Sequence, residues 1–273
     1  MRTVRLFVAL IPALILTGCL QSTALVKVNA DGSGTIDHRT VMTTEAIAQM
    51  RQLSGLFGGG SGKPVDPFSE ADARDMATKM GDGVTLVSSA PIQTPGGEGR
   101  GNVYGFRDIT KLSFNGTPAA GNTSVRAGGL GIGGSDVGTV TFDLARTANG
   151  NVLLTLHSPT DLFDSFVGRA AAAGGGGTPN GLEQLLMVRQ MVAGIRLAIR
   201  VEPAGRLVRT SSPYVDGSTV TLFDLDLDAL LKNDSAFTRL QTAKTKEEGA
   251  AILKEVPGFA VNLDRDVTIE FAP

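Results

Sequence analysis

The 273-residue chain contains no tryptophan, one cysteine and two histidines. Aromatic residues make up only 5%, so an exposed aromatic platform of the kind that binds sugars is not expected. A single cysteine excludes an intramolecular disulfide framework. Two histidines offer little for a zinc site or a Ser-His-Asp triad. These scarcities disfavour sugar-binding, disulfide-stapled and histidine-dependent catalytic proteins.

The charge balance is nearly neutral. Lys and Arg number 25 and Asp and Glu 27, which gives a formal net charge of −2. No basic stripe is present that could follow a phosphate backbone, so no nucleic-acid partner is expected. Electrostatic attraction to an anionic membrane surface is equally disfavoured. With 42% hydrophobic residues, however, the chain can bury a sizeable core.

The N-terminal segment has the three parts of an export signal. Arg2 and Arg5 form a basic start, and residues 6–16 are an uncharged apolar run. This run is shorter than the roughly 20 residues of a membrane-spanning helix, and no later apolar run is long enough to be one. Residues 1–18 are therefore predicted to be a signal peptide that is cleaved between Gly18 and Cys19.

The four residues at the predicted cleavage site carry a resemblance. Leu16-Thr17-Gly18-Cys19 resembles the lipobox of bacterial lipoproteins, which implies acyl chains such as palmitate on Cys19 and a membrane anchor. Leu20, where aspartate would resemble an inner-membrane retention signal, points to the outer membrane facing the periplasm. The alternative is an ordinary secretory signal or a buried helix in which the cysteine occurs by chance.

Alternating apolar and polar residues predict many strands behind the anchor. Tight turns are predicted at Asp31-Gly32-Ser33-Gly34, at Asn149-Gly150 and at Asp216-Gly217. Because the strands alternate, sheets buried on one face and mainly antiparallel are expected. The predicted strands cover residues 22–30, 35–43, 84–87, 102–114, 138–146, 152–156, 195–201, 207–212, 219–227 and 267–271.

Helix signals lie between these strands. The predicted helices cover residues 44–53, 69–80, 182–192, a short segment after Asp226 or Asp228, and 245–256. Thr44, Ser69 and either Asp226 or Asp228 are candidate N-caps, and Gly81 is a candidate stop. Glycine-rich surface loops are expected at 55–62, 116–134 and 170–181. The expected fold is a single α+β domain over residues 19–273, with mainly antiparallel sheets and packed helices.

Two glycine-containing stretches invite comparison with nucleotide-binding motifs. Residues 129–134 fit the spacing G-x-G-x-x-G, but a dinucleotide fingerprint opens a helix after a buried strand, and this one lies in a glycine-rich stretch. Gly62-Lys63 lacks the first glycine of a P-loop, where Phe57 stands, and Pro64 replaces the Ser or Thr that holds magnesium. Neither stretch predicts a cofactor.

Three aspartates and both histidines are candidates for a functional site. Asp224, Asp226 and Asp228 resemble the start of an EF-hand loop, but Ala229 and Ser235 occupy the positions of its glycine and glutamate. These carboxylates are predicted to be solvated or helix-capping. His38 is expected to face outward from a strand, and His157 to lie at a strand end. No catalytic or metal residues are therefore assigned.

Two further stretches carry a family resemblance. Residues 28–35, and residues 205–210 together with 216–221, resemble uncharacterised bacterial lipoproteins and the mycobacterial LppM-like family. The resemblance implies an antiparallel sheet with helices and contact with envelope lipids. The family's carboxy-terminal membrane helix and a tryptophan near the second motif have no counterpart in this sequence.

Two functions remain open. The first is a non-enzymatic envelope module that binds an envelope protein or serves structurally, with no cofactor. The second is a carrier or sensor of an apolar ligand such as a lipid, suggested by half-buried sheets and by Leu185, Met187 and Met191 on a predicted helix. A methionine-leucine stripe at helical spacing is also typical of an ordinary core.

Overall fold

The computed structural model describes residues 20–48, 68–115, 139–158, 194–243, 245–262 and 264–273. Within these ranges the strands are β1 (Leu20–Val28), β2 (Gly34–Thr43), β3 (Thr85–Thr94), β4 (Gly97–Phe106), β5 (Ser113–Asn115), β6 (Thr139–Arg146), β7 (Val152–His157), β8 (Ile195–Pro203), β9 (Arg206–Thr210), β10 (Val215–Asp216), β11 (Thr219–Asp226), β12 (Phe259–Val261) and β13 (Asp266–Ala272). The helices are α1 (Glu70–Lys79), α2 (Leu227–Lys232), α3 (Asp234–Thr242) and α4 (Lys246–Lys254). Residues 44–48 are also helical, and Ile109–Lys111 form a 3₁₀ turn.

The strands form two sheets. The larger has the order β10-β11-β8-β1-β2-β4-β3, with β12 also paired to β11, and the smaller has the order β5-β6-β7-β13-β9. Among the described strands, every pairing is antiparallel except that of β1 with β8, which is parallel. The predicted hairpins at 31–34, 149–150 and 216–217 are confirmed. The prediction of mainly antiparallel sheets is also confirmed.

One hydrophobic cluster joins the two sheets and the helices. Val26, Ile36 and Tyr104 of the larger sheet are fully buried, as are Ile269 and Phe271 of the smaller one. Because side chains alternate across a strand, each sheet contributes every second residue to this core. Burying a large apolar side chain contributes about 1.5–3 kcal/mol, so these residues supply most of the driving force.

Capping side chains set the helix boundaries. Ser69 Oγ accepts the Asp72 backbone N–H at 3.1 Å, and Gly81 follows the helix with a φ of 134°. Asp226 Oδ1 accepts the Ala229 N–H at 3.0 Å, and Thr245 Oγ1 accepts the Glu248 N–H at 3.2 Å. The predicted N-caps Ser69 and Asp226 are confirmed, because each satisfies an otherwise unpaired donor of the first turn. The predicted cap Thr44 is wrong by one residue, since Thr43 Oγ1 accepts the Ala46 N–H at 3.2 Å.

The expected α+β class with packed helices is wrong. Strands account for 53% and helices for 22% of the structure, and the helices are few and short. The protein is mostly β, with two mainly antiparallel sheets. Two strands begin or end well outside the predicted ranges: β3 continues to Thr94 rather than residue 87, and β4 begins at Gly97 rather than residue 102, where glycines at 97, 99 and 101 mask the alternation. At Gly99 an added Cβ would lie 2.0 Å from the Thr40 carbonyl oxygen, so only glycine fits against β2.

The predicted strand over 102–114 is too long at its C-terminal end. β4 ends at Phe106, and the Asp108 side chain then accepts the Thr110 backbone N–H at 2.9 Å, which opens the 3₁₀ turn. This local hydrogen bond gives the backbone an alternative to the strand ladder. Short β5 begins only after the turn.

β8 and β9 are separated by two residues but belong to different sheets. Ala204 N–H donates to the Val28 carbonyl at 2.7 Å, while an added Cβ on Gly205 would lie 2.2 Å from the Ala272 carbonyl oxygen. The turn therefore contacts both sheets, and glycine is needed where it meets β13.

Several predictions fall outside the described residues. They are the three glycine-rich loops, the helix over 182–192, the C-terminal half of the helix over 44–53, and the G-x-G-x-x-G and Gly62-Lys63 stretches. The single domain over 19–273 stays a prediction.

Candidate functional site

The predicted lipidation site, Gly18 and Cys19, lies outside the described residues. Its immediate neighbour does not. Leu20 is the first residue of β1, where it pairs with Met42 of β2 and with Ile195 of β8. The Leu20 backbone N–H donates to the Gly194 carbonyl at 3.4 Å. The residue after the predicted acylated cysteine is therefore already part of a central strand.

A buried polar cluster occupies the core-facing side of the larger sheet. His38 opposes Ala24 of β1 and Asn102 of β4, and its side chain is 2% exposed. Ser22 Oγ lies 3.1 Å and Thr40 Oγ1 3.4 Å from His38 Nε2. The prediction that His38 faces outward is wrong. Ile36 and Met42 share its parity along β2 and are buried, and this was the available signal.

Burial determines the charge state of this cluster. Burial lowers the pKa of His38 to about 4, because desolvation disfavours the charged imidazolium. Burial likewise raises the pKa of Tyr104 to about 12, with the nearby Asn102 side chain acting in the opposite direction. The His38 and Tyr104 ring centroids are 6.5 Å apart. Both side chains are therefore neutral near pH 7.

Two polar atoms of the cluster have no protein partner within the described ranges. They are His38 Nδ1 and the Tyr104 hydroxyl oxygen. An unpaired buried polar group costs about 1–3 kcal/mol, so these two atoms are expected to lower the stability of the core. Asn102, by contrast, accepts from Ser89 Oγ at 2.7 Å, and Arg100 Nη1 donates to that same hydroxyl at 2.8 Å.

The second histidine lies in the smaller sheet and is partly exposed. His157 is the last residue of β7, as predicted. Its Nδ1 lies 2.7 Å from Asp266 Oδ1 on β13, and its Nε2 lies 3.0 Å from Asp143 Oδ2 on β6. Hydrogen bonds to Asp266 and then to Asp143 raise the pKa of His157. When protonated, the ring donates to both carboxylates and joins three strands.

A third polar group centres on Asp224 of β11. Arg196 donates to Asp224 from Nε at 3.0 Å and from Nη2 at 2.9 Å, and Arg200 Nη2 donates at 2.8 Å. Asp224 stands opposite Ala198, between the two arginines, and is 8% exposed. The bidentate geometry with Arg196 is a strong form of charge-assisted hydrogen bond.

The three aspartates that resembled an EF-hand have three different roles. Asp224 binds two arginines, Asp226 caps α2, and Asp228 lies 2.5 Å from Lys232 Nζ. The capping prediction is confirmed for Asp226. The prediction of solvation is wrong for Asp224, which β8 and β11 bury between them. No group of three His, Cys, Asp or Glu side chains in the described part of the chain could hold a metal ion.

Comparisons with known proteins give little. No protein-family model matches the chain, and no curated protein matches it. The structure is weakly similar to the NMR structure of the folded domain of LppM from Mycobacterium tuberculosis, with a TM-score of 0.31 and 10% identity. The match covers 77% of this chain and 83% of that one. A TM-score this low does not establish a common fold.

Across residues 20–48, 68–115, 139–158, 194–243, 245–262 and 264–273, no helix is long and apolar enough to cross a bilayer.

Proposed function

We propose that the chain is a bacterial envelope lipoprotein acylated on Cys19, and that its folded part binds a partner or serves structurally without catalysis. The observation that carries this proposal is the lipobox-like Leu16-Thr17-Gly18-Cys19 placed directly before β1. Two or more acyl chains give stable attachment, since each buried methylene contributes about 0.8 kcal/mol.

The geometry of the histidines supports a non-catalytic role. His157 directs both ring nitrogens at carboxylates, so neither is free to take a proton from a nucleophile. His38 is buried with its Nε2 beside two hydroxyls, and its lowered pKa makes it a weak base. An assay with generic ester, phosphate and peptide substrates tests this role. Turnover that is lost in His38→Ala or His157→Ala would contradict it.

Acyl labelling tests the anchor. Cells fed a labelled fatty acid are expected to label the wild-type protein and not Cys19→Ala. Thr17→Ala is the matched control, because it keeps a small residue at the lipobox and is expected to label like wild type. Equal labelling of wild type and Cys19→Ala would refute the anchor.

The proposed location is the outer membrane, facing the periplasm, because Leu20 rather than aspartate follows Cys19. Density fractionation of envelope membranes is expected to place the wild type in the outer-membrane fraction and Leu20→Asp in the inner one. Leu20→Ser is the control, since it alters the same half-buried position without introducing aspartate. Wild-type protein in the inner-membrane fraction would refute this location.

A second candidate function is the carriage of an amphiphilic lipid. One observation favours it: His38 Nδ1 and the Tyr104 hydroxyl are buried in the described core without a protein partner, where a polar head could hydrogen-bond. Native mass spectrometry and lipid extraction of the purified protein would show a stoichiometric lipid, and Tyr104→Phe would reduce its occupancy. An empty protein that crosslinks to an envelope protein would favour the binding module instead.

A further inference from the structure

We propose that the end of the larger sheet where β1 begins rests on the lipid headgroups, and that the turn at the other end of β1 faces away from the membrane. We call the first end the anchored end, defined by Leu20, residues 42–48, residues 93–98 and Ile195. We call the second the distal end, defined by residues 29–33, 148–150 and 204–205. This inference rests on the proposed acylation of Cys19.

The tether is too short to separate the sheet from the bilayer. Consecutive Cα atoms lie about 3.8 Å apart, so the Cys19 Cα is that distance from Leu20. Leu20 is already hydrogen-bonded in the sheet through Gly194. No flexible linker stands between the two, and the glyceryl group on Cys19 must therefore lie against the anchored end.

β1, the strand that follows Cys19, is held in the sheet by hydrogen bonds to strands on both sides. β1 lies inside the sheet, with Leu20–Val28 paired along their whole length to β2 on one side and to β8 on the other. Detaching residues of β1 to lengthen the tether would break backbone hydrogen bonds to both β2 and β8. The position of Cys19 therefore fixes the position of the whole sheet, rather than that of one loose strand.

The two ends are well separated. A strand rises about 3.3 Å per residue, so Val28 lies roughly 26 Å from Leu20 along β1. At the anchored end the Thr44 N–H donates to the Gly96 carbonyl at 3.2 Å, which places the β3–β4 turn beside the end of β2. At the distal end Arg146 Nη2 donates to the Ala30 carbonyl at 3.4 Å, which places the β6–β7 turn beside the β1–β2 turn.

The charged residues of the anchored end indicate whether electrostatic attraction could contribute to its contact with lipid headgroups. Its residues include Glu45 and Glu98 and no Lys or Arg. These described residues therefore offer no attraction to anionic headgroups, and the proposed attachment depends on the acyl chains.

The absence of tryptophan allows a direct test. Glu45→Trp and Gln93→Trp place a single probe at exposed positions of the anchored end, and Ala148→Trp places one at an exposed position of the distal end. Each acylated protein is reconstituted into phosphatidylcholine vesicles whose acyl chains are brominated close to the headgroup. Tryptophan emission at 45 and 93 is expected to fall relative to unbrominated vesicles, with little change at 148, because the hydrocarbon core is about 30 Å thick and the distal end lies outside it.

A linker variant provides the control. Twelve Gly and Ser residues inserted between Cys19 and Leu20 reach about 20 Å, and they are expected to remove most of the quenching at 45 and 93. Equal quenching at all three positions, stronger quenching at 148, or no effect of the linker would overturn the orientation.

Failure of the anchor itself is recognised separately. Acyl label on the same preparation reports whether Cys19 is lipidated. If the label is absent, the only thiol of the chain is coupled to a maleimide phospholipid in the same vesicles. The quenching pattern then tests the orientation independently of the proposed function.

Discussion

The two histidines occupy opposite environments in the two sheets. His38 is enclosed among hydroxyls and an amide, without a carboxylate, and its pKa falls to about 4. His157 is partly exposed between Asp143 and Asp266, and its pKa rises. The same side chain is therefore neutral in one sheet and favoured as a cation in the other. The difference shows that neighbours, rather than residue type, decide the charge on a strand.

The largest expected effect is a difference in the free energy of unfolding between alanine variants of the two histidines. His38→Ala is expected to lower the free energy of unfolding by about 2–3 kcal/mol, because it leaves a cavity and removes the partner of Ser22. His157→Ala is expected to cost less than about 1 kcal/mol, since its ion pairs are partly exposed. Urea denaturation followed by far-UV circular dichroism measures both. Equal losses would show that the two environments do not differ energetically.

Acid should act through the buried histidine. A lowered folded pKa means that the unfolded chain binds the proton more readily, so the stability from His38 is present above pH 6.5 and is lost as the pH falls toward 4. His38→Phe has no imidazole to protonate, so it is not expected to lose stability in this way. Between these pH values, wild type is expected to lose about 2 kcal/mol more than the variant in parallel urea titrations. Parallel curves for the two proteins would contradict a neutral, buried His38.

Removing the hydroxyl of Tyr104 tests the energetics of the buried cluster around His38. Its hydroxyl has no partner in the described part of the chain, so Tyr104→Phe is expected to raise the free energy of unfolding by about 1 kcal/mol. Tyr214→Phe, at a half-buried position, is the control and is expected to change little. A loss of stability in Tyr104→Phe would reveal that the hydroxyl is hydrogen-bonded in solution.

Alkali should act weakly through the exposed histidine. A raised folded pKa means that the stability from His157 is fully present below pH 6.5 and is lost as the pH rises through the folded value. Solvent screening limits this loss to about 0.5 kcal/mol. Thermal unfolding between pH 6 and 9 is expected to show it in wild type and not in His157→Gln. A loss of the opposite sign would contradict the ion-paired geometry.

Local signals in the sequence predicted the hairpins and two of the helix caps correctly. Asn149-Gly150, Ser69 and Asp226 each act within a few residues, so the chain itself specifies their geometry. The side of β2 that His38 faces could have been predicted from its parity with Ile36 and Met42, but its partner Ser22 and its neighbour Asn102 depend on the pairing of β2 with β1 and β4, which no local pattern contains. The same holds for His157, whose partners are 14 and 109 residues away. The sequence therefore predicted helix ends and turns better than sites.

The parallel pairing of β1 with β8 also affects how the chain folds. Leu20 pairs with Ile195, so a strand at the start of the folded region must wait for one that is made much later. Closing so long a loop costs chain entropy before any contact offsets it, and contacts this distant in sequence slow folding. During synthesis, which starts at the N-terminus, the chain can form the β1–β2 hairpin early. The edge of β1 that pairs with β8 then remains unpaired. Until β8 arrives, that edge is the place where misfolding or strand exchange with another chain is expected to begin.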